Sequence, residues 1–132
     1  MADAVTSQTL QDGDKSVVMK FTNISDGSGE AAVKKVDVSA LQTQSGSGAS
    51  CTGVTIDCVW YECNGLSVDL MWDASTDVIA WTLSGYGYFD FRSAGPLVNN
   101  ASSPTGDIMF TTTGAGSGDR YAIMLKMTKS YE

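Results

Sequence analysis

Histidine is absent from this 132-residue chain. With it goes the only side chain whose unperturbed pKa lies between about 5 and 8, the commonest general base and a frequent metal ligand. No Ser-His-Asp or Cys-His arrangement can form. A structural zinc site would have to rest on Cys51, Cys58 and Cys63, which lack a fourth partner and do not have zinc-finger spacing. Positive charge is also scarce, with eight Lys and Arg against fifteen Asp and Glu and a net charge of −7. Phosphate-backbone binding needs clustered cations, so no nucleic-acid partner is expected. The acidic surface instead favours a basic partner. Apolar runs are only a few residues long, too short for a membrane-spanning helix, and no membrane partner is expected. Met1-Ala2-Asp3-Ala4-Val5 has neither a basic n-region nor an apolar h-region, which points to synthesis in a reducing cytoplasm. The odd cysteine count then reads as free thiols, with a Cys51–Cys58 or Cys51–Cys63 bridge as the alternative for a protein that ends up outside the cell.

What the chain has is alternation. Apolar and polar side chains exchange along nearly every stretch between clusters of Gly, Ser, Asp and Asn, the period of strands with one buried face. Candidate strands run over Val5–Leu10, Ser16–Ile24, Ala32–Ala40, Val54–Glu62, Leu66–Trp72, Val78–Leu83, Tyr86–Phe91, Asp107–Thr113 and Arg120–Thr128. No helix-period segment competes with them. Pro96 and Pro104 both fall in the long break Arg92–Gly106, where neither interrupts a ladder. With 42% hydrophobic residues the chain can fill one core. The expectation is an all-β, single-domain antiparallel β-sandwich, jelly-roll-like, with about eight or nine short strands. Residues 1–12 would be an N-terminal arm or edge strand, and residues 13–132 the sandwich domain.

Parity assigns faces. Val17, Met19 and Phe21 share one side of their strand, and Tyr121, Ile123, Leu125 and Met127 one side of the last; with Val36, Val38, Ile108 and Phe110 they form the expected core. Burying each large member is worth about 1.5–3 kcal/mol. At Asn64-Gly65 a hairpin is expected. A three-residue loop, Cys63-Asn64-Gly65, pairs Glu62 with Leu66, Trp60 with Val68, Cys58 with Leu70 and Ile56 with Trp72. That register gathers one apolar face and puts Gly65 where a type I turn with a G1 bulge needs a left-handed residue.

The inventory for chemistry is thin, and no enzyme, cofactor or metal site is expected. Cys58 reads as a small core hydrophobe, whereas Cys63 sits at the expected loop tip. Asp12-Gly13-Asp14 and Asp26-Gly27-Ser28-Gly29-Glu30 lack the order of an EF-hand and read as turns. Gly114–Asp119 lacks the Lys-Ser/Thr of a phosphate loop and reads as a mobile hairpin connection. Asp69, Asp73 and Asp77 read as a solvated edge rather than a glycosidase pair. Trp81, Tyr86, Tyr88, Phe89 and Phe91 stand out, because aromatics of both parities imply a strand buried on two faces. They are expected either to pack in the core, to meet a neighbouring subunit, or to form a sugar-binding platform.

Several stretches also carry a resemblance. Ala4–Leu10, the turn Asp12-Gly13-Asp14-Lys15, Val17–Glu30, Val33–Leu41, Thr105–Thr112 and Ser117–Met127 resemble small virion structural proteins of tailed bacteriophages. The resemblance implies a capsid decoration, or cement, protein on the virion surface, binding the outside of the major capsid protein shell and stabilising it. It also implies a homo-oligomer, with a trimer favoured, and no catalytic residues. Tail, neck or fibre-base placement and a glycan-binding β-sandwich module are the other readings. The partner-contact residues expected are Val5, Thr6, Gln8 and Leu10 of the arm, which would add a strand to the capsid protein, and Trp81, Tyr86, Tyr88 and Phe89.

Overall fold

The computed structural model describes residues 4–131, with side chains from residue 6 onward. Its seven strands are β1 (Ala4–Asp12), β2 (Ser16–Asp26), β3 (Val33–Val36), β4 (Cys51–Ala74), β5 (Val78–Asp90), β6 (Pro104–Thr113) and β7 (Ser117–Tyr131). All pairings are antiparallel, in the order β1-β2-β7-β4-β6-β3, with β5 on the other edge of β4. Two halves result, one of β1, β2, β7 and the first part of β4, the other of β3, β6 and the second part of β4. They close face to face: the ring of Phe21 on β2 meets that of Phe110 on β6 edge-on at 5.1 Å, and Phe110 meets Tyr121 of β7 at 5.8 Å. The chain is an all-β antiparallel sandwich of the jelly-roll kind. The expected core residues from Val17 to Met127 are all buried.

β4 is where the fold departs from the sequence reading. Ile56 pairs with Met127 and Cys58 with Lys126, so Asp57 is a bulge. A second irregularity falls between Glu62 and Ser67, and Gly65 there has φ +83°. Each inverts the pleat. The buried face reads Val54 and Ile56, then Val59 and Cys63, then Leu66, Val68, Leu70 and Trp72. Asn64-Gly65 is therefore no hairpin turn but a kink in one 24-residue strand, and the expected pairings of Glu62 with Leu66 and Trp60 with Val68 do not occur. The left-handed glycine is present for a different reason: a Cβ on Gly65 would collide with the Asp119 carboxylate. β5 follows the bend, so Val78–Leu83 and Tyr86–Phe91 belong to one continuous run, ending at Asp90.

Elsewhere the corrections are smaller. The expected strand Ala32–Ala40 stops at Val36, because Asp37 caps a 3-10 turn by accepting from Ser39 N (3.0 Å) and Asp107 accepts from Val38 N (2.9 Å). Gly114–Asp119 does not close a hairpin, since β6 and β7 do not pair with each other but follow one another along the same edge of β4. Residues 4–12 form an edge strand along β2, while Ala2 and Asp3 of the expected arm lie outside the described residues. The long loop folds back on the body, where Leu97 exchanges backbone hydrogen bonds with Ile56 (2.9 and 3.0 Å).

Two buried cations tie distant segments. Lys35 donates to Glu30 at 2.6 Å with both side chains almost fully buried, and Tyr121 donates to the other Glu30 oxygen at 2.6 Å. Lys129, its side chain fully covered, donates to Asp12 (2.6 Å) and to the carbonyls of Gly13 (2.9 Å) and Gln42 (2.8 Å). Satisfied on several sides, such charges fix geometry more than they add stability.

Candidate functional site

The bend in β4 and β5 builds an aromatic edge. β5 pairs with β4 alone, and among the described residues no strand covers its other edge. On the outer side Trp60 of β4 stacks on Tyr88 of β5, with centroids 4.9 Å apart and planes 25° apart. On the inner side Phe89 stacks on Tyr61 at 6.0 Å and meets Trp81 edge-on at 5.4 Å, with Phe91 buried behind. Tyr86 is 84% exposed, Tyr88 46% and Phe89 40%, while Phe91 is buried and Trp81 half-buried, so within the single chain three of the five aromatics stay open, on both faces of the strand. The strand of mixed parity was legible; the cover was not.

Beside this edge, Asp90 and Arg92 form a two-pronged ion pair at 2.8 and 2.9 Å. The Arg92 side chain and backbone hold the Asp90 carboxyl well below its usual range. Tyr88 donates to the Cys58 sulfur at 3.7 Å, a bond that raises the phenol's pKa. Cys58 is buried as expected, but on the outer side of β4 and not in the sandwich core, its thiol donating to Asp90 at 3.7 Å. Cys63 is not at a loop tip: it is buried on the inner side of β4, and burial pushes its thiol up to about 11. The three cysteines are free and buried.

The carboxylates serve turns. Asp12, Asp14 and Asp26 accept from backbone N–H groups of Gln42 (2.7 Å), Ser45 (3.0 Å) and Ser28 (3.0 Å), and Asp77 accepts from Ala74 N (3.2 Å). Asp73 accepts from the Thr105 hydroxyl at 3.0 Å, and Asp69 lies on the outer side of β4, half-buried. Among the described residues no group of three or more Cys, Asp and Glu could hold a metal ion. No described helix is long and apolar enough to cross a membrane.

The expected contact residues fall on two separate edges. Thr6, Gln8 and Leu10 are exposed on β1, where the Val5 backbone pairs with Asn23. Tyr86, Tyr88 and Phe89 lie on β5, while Trp81 is half-buried against Phe89 and Phe91.

Sequence parity missed a further feature on the outer face of the first half. Cross-strand rows place Lys20, Met124 and Trp60 side by side, then Thr22, Ala122 and Glu62, then Ile24, Arg120 and Asn64. The small Ala122 leaves a dip ringed by longer side chains. An open groove of about 280 Å³ there is walled by Trp60, Lys20 and Glu62. A second, of about 320 Å³, opens on its other side toward Thr22 and Arg120. Placing the cross-strand neighbours of Ala122 requires the β7–β4 register, which the misread hairpin obscured.

No family model matches the chain, and no curated protein matches it. Among solved structures it is similar to a family 29 carbohydrate-binding module, in a mutant complexed with cellulohexaose, at 11% identity and TM-score 0.44, covering 95% of this chain and 91% of that one. It is also similar to a cupin domain from Bordetella pertussis, at 8% identity and TM-score 0.35, covering 98% of this chain and 97% of that one.

Proposed function

We propose that the chain is a non-catalytic virion structural protein, a capsid decoration protein that binds the outside of the major capsid protein shell and stabilises it. The observation that supports this reading best is the β5 edge. A strand edge left unpaired among the described residues, carrying Tyr86, Tyr88 and Phe89 on its two open faces, is what a subunit contact buries. Left uncovered, the same edge would invite aggregation. The resemblance to phage virion proteins supplies the partner and favours a homotrimer, for which the β5 edge is a suitable contact. The test is the copy number and position of the protein in purified virions. A count matching the capsomers, with density on the shell, supports the proposal; a ring at the tail or neck overturns it in favour of another virion component.

A glycan-binding module is the second reading, favoured by one observation: Tyr86 presents a nearly free ring at the sheet edge. Trp81 does not support it, since Phe89 and Phe91 occupy its surroundings. Loss of glycan-array binding in Tyr86→Ala, with particle attachment unchanged, would move the function to this reading.

A further inference from the structure

We propose that the dip over Ala122 is a binding site for an acidic sugar residue, a pyranose ring bearing a carboxylate. The site lies on the sheet face, apart from the β5 edge, and stands whether or not the protein decorates a capsid.

Shape comes first. Ala122 is exposed at the centre of an outer-face grid whose neighbours are all larger, and the grooves on its two sides, about 280 and 320 Å³, share Glu62 as a wall. Grooves of this size, floored by apolar atoms with a few converging polar groups, suit a small ring. Trp60 stands between Tyr88 on β5 and Met124 on β7. Stacking on Tyr88 holds the indole in place, and Trp60 lines the groove beside Ala122, where the C–H face of a sugar can lie against the ring.

Charge then narrows the ligand. Lys34, Lys35, Arg92 and Lys129 are engaged in ion pairs. Of the other four cations, Lys20 and Arg120 line the two grooves, Lys126 stands two rows away opposite Val18 and Cys58, and Lys15 lies in the turn between β1 and β2. In a chain of net charge −7, two cations outside the ion pairs, Lys20 and Arg120, thus flank one dip, with Glu62 the facing carboxylate. A carboxylated sugar answers both signs: its carboxylate takes charge-assisted hydrogen bonds from Lys20 or Arg120, and its hydroxyls donate to Glu62. An acidic peptide fits less well. β2, β7 and β4 from Cys58 to Glu62 are each paired on both edges, so no backbone ladder around the dip is open to an added strand.

The test is an amide and indole NMR titration of the whole chain with trigalacturonate, with neutral galactotriose as the match. Shifts should centre on Lys20, Glu62, Ala122 and the Trp60 indole N–H, and the acidic trisaccharide should bind about tenfold or more tightly than the neutral one. Lys20→Gln with Arg120→Gln should erase that preference. Ala122→Trp, which fills the dip from an exposed position, should abolish both interactions while the melting temperature holds. No shift at about 10 mM sugar, equal affinities for the two sugars, or binding that survives Ala122→Trp would overturn the proposal. So would a pentaglutamate peptide that produces the same shifts at equal or lower concentration.

Discussion

Trp60 and Tyr88, on neighbouring strands, stack at 4.9 Å on the outer face of the sandwich while both remain substantially exposed. Aromatic rings are enriched where one protein buries itself against another. Here the ring pair is the rim of a strand that, among the described residues, pairs on one side only.

If that edge is the docking surface, Tyr86→Lys should leave folding stability within about 0.5 kcal/mol, since the residue is exposed, while a charge on the edge blocks strand addition. Sedimentation should show loss of self-association, and a particle-binding assay should show loss of attachment. Attachment unaffected by Tyr86→Lys would place the contact elsewhere.

Gly65→Ala should destabilise the fold by about 1–3 kcal/mol, because the position needs a left-handed backbone. The added methyl also meets the Asp119 carboxylate, which accepts from Gly116 N at 2.8 Å. Urea unfolding measures the loss.

Lys35→Ala should cost about 3–5 kcal/mol, because it strands the buried Glu30 carboxylate. Removing both charges together, as Lys35→Met with Glu30→Leu, should recover much of that. Denaturant midpoints of the single and double variants would check the coupling. A double variant as unstable as the single would mean that the Tyr121 bond to Glu30 matters more than the ion pair.

The Cys63 thiol is raised from 9.0 to about 11, so the folded state holds its proton more tightly than the unfolded one. The stability this contributes is complete below pH 9 and is lost as pH rises toward 11. Alkaline unfolding curves should therefore slope downward in that window, and Cys63→Ala should flatten the slope while lowering overall stability. At pH 8 the folded protein should show no fast-reacting thiol toward Ellman's reagent, because all three cysteines are buried.

With no histidine in the chain, attachment to any partner should hold constant between about pH 5.5 and 8. Release from particles within that range, followed by pelleting, would show a perturbed carboxylate at the interface.

β2 and β7 were legible because their alternation is unbroken from Val17 to Phe21 and from Tyr121 to Met127. β4 was not, and the reason is physical. A turn and a bulge both call for a left-handed residue, so Asn64-Gly65 has the same local chemistry in either setting. The parity change at Asp57 left no signal in composition. Misreading the kink as a hairpin moved Cys63 from the core to a loop tip and concealed the row joining Thr22, Ala122 and Glu62. The buried Lys35 and Lys129 were equally unreadable, since a lysine on a strand looks solvated until its acceptors, far away in sequence, are known.

The uninterrupted β4 has a consequence for how the protein is made. Its first part pairs with the last strand, from Cys51 opposite Tyr131 to Asn64 opposite Arg120. Among the described residues β7 is the one strand that joins β4 to the β1–β2 hairpin. A ribosome that has released everything up to β6 has exposed two raw strand edges and no closed sandwich. Folding must wait for β7 and then proceed through contacts between strands far apart in sequence, which is slow. A truncation within β7 should therefore yield not a smaller domain but an aggregating chain.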